Sequence, residues 1–309
     1  MDKFHLLTVY VAVAEEQGFA AAARRLNMSP PAVTRAVASL EDQLGVKLLN
    51  RTTRYVRATE IGLRYLEDAK RILAELDTAD ETAAGINAEP QGHLVVTAPV
   101  LFGRLFVTAG IVDYLNHYPK MQVDAIFLDR VVNLLEEGID VGVRIGDLPD
   151  SSMRAKRVGS VRQILCASPE YLAKTGLPQH PEDLQQHTII ASKAGSGSID
   201  WRFPLTEESS KNRTKESKQK ALNLKPRLTV TTNDAAIQAA LQGFGITRVL
   251  SYQVAEELAS GHLKIVLENY ETDAKPVHIV HREGRNAAVK VRAFVDVLAA
   301  NLMQHKALN

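Results

Sequence analysis

Basic side chains are concentrated near the start of this 309-residue chain. Between Arg24 and Arg57 there are seven basic residues against two acidic ones, although the whole chain has a formal net charge of +1. Clustered cations of this kind favour a surface that binds the phosphates of a nucleic acid. The plainer alternative is a solvated face, because scattered surface charges usually have no partner.

Two short helices around a tight turn are predicted to position part of this charge. Residues 4–16 repeat apolar side chains at helical spacing, and residues 19–27 form an alanine-rich second helix. Ser29 is expected to cap a third helix with its hydroxyl, and two prolines after it fit a first turn whose amides lack partners. The second and third helices together predict a helix-turn-helix.

A two-stranded ribbon and a long helix are predicted next. Residues 46–49 and 55–58 favour short strands around the basic turn 50–54, which is the pattern of a wing. Thr59 can cap a helix whose apolar residues alternate spacings of four and three, which indicates a dimerisation seam. That seam comprises Tyr65, Ala69, Ile72, Leu76, Ala79, Ala83 and Ile86. The alternative is a surface helix packed on its own domain, for which a wider apolar stripe would be expected.

After a predicted hinge at residues 90–92, strand and helix patterns alternate. The first series predicts βαβ units with strands and helices at 94–98, 102–118, 123–128, 131–138 and 141–145. The second predicts strands at 164–167, 188–191, 228–231, 263–267 and 277–280, and helices near 169–175, 234–242 and 286–304. Residues 207–220 read as a solvated loop or irregular hairpin. The pattern therefore predicts two linked α/β lobes.

The first ninety residues resemble the LysR-type transcriptional regulators. The order and spacing of five segments carry this resemblance: residues 21–26 (AAARRL), 29–35 (SPPAVTR), 40–45 (LEDQLG), 48–51 (LLNR) and 58–62 (ATEIG). The resemblance continues in residues 140–146 (DVGVRIG), 165–172 (LCASPEYL) and 243–246 (GFGI), which look like the family's effector-binding domain.

The resemblance implies an α/β protein of three parts. These are a winged helix-turn-helix (1–58), a linker helix (59–89) and a two-lobed effector-binding domain (90–309) related in fold to type 2 periplasmic binding proteins. Lobe I is expected at about 90–162 and 268–309, and lobe II at about 163–267. The resemblance also implies homodimers that often pair into tetramers, a pseudo-palindromic promoter site, and a small co-inducer between the lobes. RNA polymerase is a further candidate partner.

Base reading is expected from the third helix. Many family members carry glutamine where this chain has Pro30, and a glutamine could read adenine whereas proline offers only an apolar contact. The predicted base readers are therefore Thr34 and Arg35, with Pro30 and Pro31 as apolar contacts. Phosphate contacts are expected from Ser29, Arg51, Thr52, Thr53, Arg54 and Arg57. Serines common at the start of the family's second helix are replaced by Gly18 and Ala20, which leaves a weaker cap there.

Ligands of open α/β sheets bind at the carboxyl ends of strands, beside helix N-termini. The candidate effector residues are Ala98, Pro99, Val100, Leu101, Phe127, Leu128, Ile145, Gly146, Ser192, Thr232, Asn233, Gly245, Ile246 and Thr247. Each has an alternative reading as simple strand termination. Ala98 and Leu128 match positions that often carry hydroxyl groups in the family, so a less polar effector, aromatic or of mixed character, is expected.

Other function classes find little support. No nucleotide-binding, esterase or metalloprotease motif is present, so no catalytic residue is predicted and an enzyme is disfavoured. His278 and His281 would point to opposite faces of a strand, so neither a metal nor another cofactor is predicted. The single cysteine, Cys166, lies in an apolar run and reads as a buried thiol.

The sequence also indicates a location and leaves two other functions open. The start of the chain lacks a signal-peptide pattern and no apolar run would span a bilayer, so a cytoplasmic protein with no membrane partner is expected. The remaining alternatives are a solute-binding protein, which the two-lobe pattern alone permits, and a DNA-binding protein that needs no effector.

Overall fold

The structure is a computed structural model that describes residues 2–51, 56–84, 89–148, 153–192, 199–204, 219–281 and 288–308. The chain divides into two compact units, Met1–Ala88 and Glu89–Asn309. Each unit has its own hydrophobic core.

The first unit is a helical domain with a small antiparallel ribbon. Its elements are α1 (Lys3–Glu15), α2 (Phe19–Arg25), α3 (Pro30–Leu44), β1 (Leu49–Arg51), β2 (Val56–Ala58) and α4 (Glu60–Ala84). Gly45 ends α3 because its φ of +70° is a left-handed conformation that favours glycine. In the ribbon, Asn50 of β1 is paired with Arg57 of β2. The predicted wing and its two flanking helices are therefore present.

The core of the first unit gathers one face of each helix. From α1 it takes Leu6, Val9, Tyr10 and Val13, and from α3 it takes Val33, Ala36, Val37 and Leu40, all of which are 0% exposed. These spacings of three and four residues are those of one helical face. The opposite face of α3 is therefore left to solvent.

The second unit contains two five-stranded sheets within the described residues. Its strands are β3 (Gly92–Ala98), β4 (Met121–Phe127), β5 (Val141–Ile145), β6 (Arg154–Val161), β7 (Gln163–Ala167), β8 (Ile189–Ser192), β9 (Ile199–Pro204), β10 (Gln219–Leu224), β11 (Leu228–Val230), β12 (Ile246–Leu250), β13 (Lys264–Val266) and β14 (Lys275–His281). One sheet has the order β4-β3-β5-β14-β6 and the other the order β11-β8-β12-β7-β13, while β9 and β10 form a separate hairpin. The chain passes from the first sheet to the second at Arg162 and returns between β13 and β14.

Helices cover these sheets. They are α5 (Val100–Phe102), a π-helical turn (Gly103–Val107), α6 (Thr108–His117), α7 (Pro169–Thr175), α8 (Asn233–Leu241), α9 (Ala255–Ala259) and α10 (Val289–Met303). Short 3-10 helices lie at Pro181–Gln186, Ser251–Val254, Glu268–Tyr270 and Lys306–Leu308. The first parallel strands, β4-β3-β5, end at one edge of their sheet, as βαβ connections require.

Three predictions for this unit were wrong. Residues 131–138 form a turn and no helix, because the Asn133 side chain accepts the Leu135 N–H at 3.1 Å and the Glu137 carboxylate accepts the Asn133 N–H at 3.3 Å. Strands β6, β9, β10 and β12 were not expected. Strands β6, β7, β13 and β14 pair antiparallel, so the βαβ pattern holds for only part of each sheet. Most of the segment 207–220, read as a loop or hairpin, lies outside the described residues.

Candidate nucleic-acid interface and ligand cleft

The exposed face of α3 carries the residues expected to meet DNA bases. Pro30, Pro31, Thr34 and Arg35 are all exposed. The Thr34 hydroxyl donates to the Pro30 carbonyl at 3.0 Å, which holds that side chain along the helix. Among the described residues, Arg35 has neither an ion pair nor a hydrogen bond. One surface of one helix therefore presents a hydroxyl, a guanidinium and two apolar rings together.

The start of α3 differs from the expectation in one respect. The Ser29 side chain makes no capping hydrogen bond to the described residues, whereas its carbonyl accepts the N–H groups of Ala32 and Val33 at 2.9 and 3.2 Å. The predicted capping by this hydroxyl was therefore wrong. Proline at the second helical position, Pro31, removes one of the two amides that a capping hydroxyl could serve, and the Ala32 N–H bonds to the Ser29 carbonyl instead. The exposed hydroxyl keeps its predicted role as a phosphate contact.

The structure describes only part of the wing. Arg57 in β2 is exposed, while Arg51 is in β1 by its backbone. The predicted phosphate contacts Thr52, Thr53 and Arg54 lie outside the described residues.

A buried carboxylate ties the wing to α3, and it was missed by sequence reasoning. Glu41 is 2% exposed, and its Oε1 accepts the N–H groups of Leu48 and Leu49 at 3.0 and 3.1 Å. Its Oε2 accepts Lys47 Nζ at 2.9 Å. Because buried amide groups need acceptors, this side chain fixes the position of the start of β1 relative to α3. The acidic residue in an otherwise basic segment was the available signal.

The start of α4 is fixed by a close backbone contact. A methyl group on Gly62 would lie 2.0 Å from the Leu48 carbonyl oxygen, so only glycine fits there. The Tyr10 hydroxyl donates to the Gly62 carbonyl at 2.7 Å, and burial raises the pKa of Tyr10 to about 12. The Thr59 hydroxyl accepts the Gly62 N–H at 2.9 Å, which confirms the predicted cap.

The seven residues of the predicted dimer seam have different environments. Ala69 is 1% exposed and Tyr65 packs on Tyr10, with ring centroids 5.8 Å apart. Ala69 belongs to the core of its own unit and the half-buried Tyr65 packs against that core, so Ala69 is not available for a dimer contact and Tyr65 is only partly available. Ile72 is 40% exposed and Ala79 is exposed, while Leu76 is half-buried. The side chain of Ala83, and all of Ile86, lie outside what is described.

In the second unit, a cavity of about 640 Å³ lies between the two sheets. Strand ends of both sheets meet there, as the rule for open α/β sheets predicts. Seven of the predicted effector residues line it: Ala98, Pro99, Leu128, Ile145, Gly146, Ser192 and Asn233. Its walls also include residues 129–132 and Val249, Leu250, Tyr252 and Gln253. We call this cavity the cleft.

The other predicted effector residues do not line the cleft. Val100, Leu101, Phe127, Thr232, Gly245, Ile246 and Thr247 are absent from its walls. The Phe127 ring instead covers Gly103, where a methyl group would lie 2.4 Å from it. Ile246 and Thr247 are 0% exposed in β12. A methyl group on Gly245 would lie 2.3 Å from the Thr188 carbonyl oxygen, which explains that glycine by packing.

The helix start after β3 already has an anion of its own. The Val100 N–H donates to Oδ1 of Asp129 at 3.0 Å, and Asp129 also lines the cleft. The amide of Val100, one of the candidate effector residues, is therefore already bonded within the protein. The carboxylate comes from a residue 29 positions away, so local sequence gave no sign of it.

Basic residues predominate over acidic ones in the cleft. Arg130, Arg144, Arg248 and Lys275 line it, together with Asp129 and Asp147. Arg144 donates to the Val132 carbonyl at 2.6 Å. None of these four cations was predicted from the sequence. Arg144, Arg248 and Lys275 lie in strands, where a basic residue normally indicates the solvent-facing side, and Arg130 lies in the loop after β4.

The described part of the chain shows neither a metal site nor a reactive thiol. No group of three His, Cys, Asp or Glu side chains there is arranged to hold a metal ion. The Cys166 thiol is buried, as expected, and burial raises its pKa to about 12, so it is unreactive near neutral pH. No described helix is long and apolar enough to cross a bilayer.

Two family models match this chain. The LysR substrate binding domain matches residues 87–303, and the bacterial regulatory helix-turn-helix of the lysR family matches residues 4–63. The chain is 33% identical over 300 residues to the HTH-type transcriptional regulator DmlR of Escherichia coli K12, covering 97% of this chain and 94% of DmlR. It is 31% identical over 297 residues to the transcriptional regulator CrgA of Neisseria meningitidis serogroup B, covering 96% of each chain.

Solved structures of similar proteins agree. The structure of CrgA from Neisseria meningitidis, a LysR-type transcriptional regulator, is 30% identical with a TM-score of 0.59 and covers 96% of this chain and 98% of its own. The full-length Vibrio cholerae virulence activator AphB, 24% identical with a TM-score of 0.62, covers 97% of this chain and 99% of its own and shows the same fold.

This chain belongs to the LysR family. It is a DNA-binding transcriptional regulator whose C-terminal part is an effector-binding domain. The family, fold class and function predicted from the sequence are confirmed.

Proposed function

We propose that a small molecule bound in the cleft changes how this regulator binds or bends promoter DNA. One observation carries the proposal: the walls of the 640 Å³ cavity come from both sheets. A ligand that touches both lobes stabilises whichever lobe arrangement makes both contacts. The regulator then acts by binding, with no catalytic step of its own.

The lining favours an effector with an apolar body and an acidic group. Leu128, Ile145 and Leu250 give the cleft an apolar side, while Arg248 and Lys275 give it positive charge. A carboxylate needs a charged or hydrogen-bonding partner when it leaves water, and an arginine provides one. An aromatic or branched carboxylic acid combines both requirements.

On DNA, we assign base contacts to the exposed face of α3. Thr34 and Arg35 would reach base edges in the major groove, and the rings of Pro30 and Pro31 would meet thymine methyl groups. Ser29, Arg51 and Arg57, with Thr52, Thr53 and Arg54 of the wing, would hold phosphates. The absence of a described ion pair at Arg35 supports its assignment as a reader.

We further propose a homodimer, and a tetramer of two such dimers, built through α4. Ile72, Leu76 and Ala79, followed by Ala83 and Ile86, are the remaining residues of the heptad seam. A dimer presents two recognition helices to a pseudo-palindrome, which strengthens the binding of each. RNA polymerase is a further proposed partner at the promoter.

Two measurements test this function. Footprinting the purified protein on the DNA upstream of its own gene, with and without candidate acids, should show a protected segment that changes in extent or pattern with one of them. Calorimetry with a panel of aromatic and aliphatic acids should find binding by the members with an apolar body. If no acid with an apolar body binds and the footprint never changes, the cleft is not an effector site.

A further inference from the structure

A second cavity, of about 590 Å³, lies beside the cleft, and its walls come mostly from lobe II, with Thr272 and Lys275 from lobe I. It is bounded by the end of β8 and by the edge of β9 that faces away from β10. Its walls are polar at Ser192, Arg202, Arg248, Thr272 and Lys275. The cleft and the second cavity share Gln163, Ser192, Arg248 and Lys275. The two cavities therefore adjoin.

Arg248 is held rigidly at the boundary. Its Nη2 donates to the Arg202 carbonyl at 3.1 Å, which satisfies a backbone group on the edge of β9. Its guanidinium lies over the rings of Trp201 and Phe203, 5.9 and 5.4 Å from their centroids. The described residues give this guanidinium no carboxylate partner, and burial lowers its pKa. An arginine has five N–H donors, so donors remain beyond the one to Arg202.

The second cavity is lined by more cationic than anionic side chains among the described residues. Among the described residues, Arg202, Arg248 and Lys275 line it with one carboxylate residue, Asp200, which already accepts Asn223 Nδ2 at 2.8 Å. We infer that this cavity is a separate binding site for a small, strongly polar carboxylic acid. The inference does not rest on the effector proposed for the cleft, but the two cavities share Arg248. Occupation of one cavity would then weaken anion binding in the other.

The protein carries its own reporter for this site. Trp201 is the only tryptophan of the chain, and it lines the second cavity and not the cleft. Titration of the full-length protein with succinate should give a saturable change in tryptophan fluorescence. The neutral diamide of succinate, which has the same length, should give none at the same concentrations. No saturable change with succinate, or an equal change with the diamide, would overturn the inference.

Two arginines provide a matched pair of variants. Arg202→Gln removes a cation from the second cavity alone, and Arg144→Gln removes one from the cleft alone. The first should raise the succinate concentration at half-saturation about tenfold, as the loss of a charged hydrogen-bond donor would. The second should change it by less than about twofold. If Arg202→Gln fails to fold, judged by circular dichroism, Thr272→Val replaces it with the same expected direction. Equal weakening by both arginine variants would place succinate in the cleft and refute a second site.

Discussion

The DNA-facing surface and the cleft are built in opposite ways. The residues proposed to face DNA bases lie on consecutive turns of one helix, α3, so their relative positions follow from helix geometry alone. The cleft takes its walls from strand ends that are far apart in the chain and meet only when two sheets have formed. A substitution on α3 should therefore act through one contact. A substitution near the cleft should affect ligand binding directly only if the substituted residue lines the cleft.

The largest effect is expected at Gly62, where the start of α4 lies against the backbone of Leu48. Gly62→Ala places a methyl group 2.0 Å from a backbone oxygen that has little room to move, and we expect a loss of about 3 kcal/mol in the free energy of unfolding of this unit. Ile61→Ala, one residue earlier and 56% exposed, is the control and should change it by less than about 0.5 kcal/mol. Chemical denaturation followed by circular dichroism measures both. Equal losses of unfolding free energy in the two variants would mean that the close contact between Gly62 and Leu48 does not require glycine.

The second-largest effect is expected on DNA binding, where two arginine variants should distinguish base reading from phosphate binding. Arg35→Ala should reduce the preference for the footprinted operator over a scrambled duplex by about 2 kcal/mol, because a bidentate contact to guanine is lost. Arg57→Ala should weaken both duplexes alike and lower the salt dependence by about one phosphate contact. Fluorescence anisotropy at several salt concentrations measures both quantities. An unchanged preference in the Arg35 variant would exclude base reading by this residue.

Two neighbouring residues test the assembly of the cleft. Asn233 lines the cleft, whereas Thr232 does not, and the Thr232 hydroxyl bonds to Asp234, whose pKa it lowers. For an acid shown by calorimetry to bind the wild type, Asn233→Ala should weaken binding by about 1 kcal/mol, and Thr232→Ala should leave it nearly unchanged. The reverse order of effects would show that the walls of the cleft are assigned wrongly.

The smallest effect concerns the two helix starts of the DNA-facing unit. Ser29→Ala should change the free energy of unfolding by less than about 0.5 kcal/mol because its hydroxyl makes no capping bond, while Thr59→Ala should cost about 1 kcal/mol. Both are read from denaturation curves. Weaker DNA binding by the folded Ser29 variant would support its phosphate contact, whereas a cost as large as that of Thr59→Ala would show a cap after all.

What could be predicted from the sequence followed from local pattern. The helix at 169–175 was predicted with its observed ends, because Ser168 and Pro169 mark its start, and the Ser168 hydroxyl accepts the Tyr171 N–H at 3.2 Å. What was missed depended on distant partners: Glu41 accepts amides seven and eight residues later, and Arg248 meets β9 across 46 residues. Such partners exist only after folding, so neither spacing nor residue type reveals them.

The carboxylate of Asp129 at the Val100 N–H makes binding there an exchange rather than an addition. An acid that bonds this amide must first expel a group of its own chemical kind, so the net gain from that amide is close to nil. Simple acids that are abundant in a cell would therefore be ignored at this point. A signal molecule would be chosen by the shape and apolar surface it presents to the remaining walls.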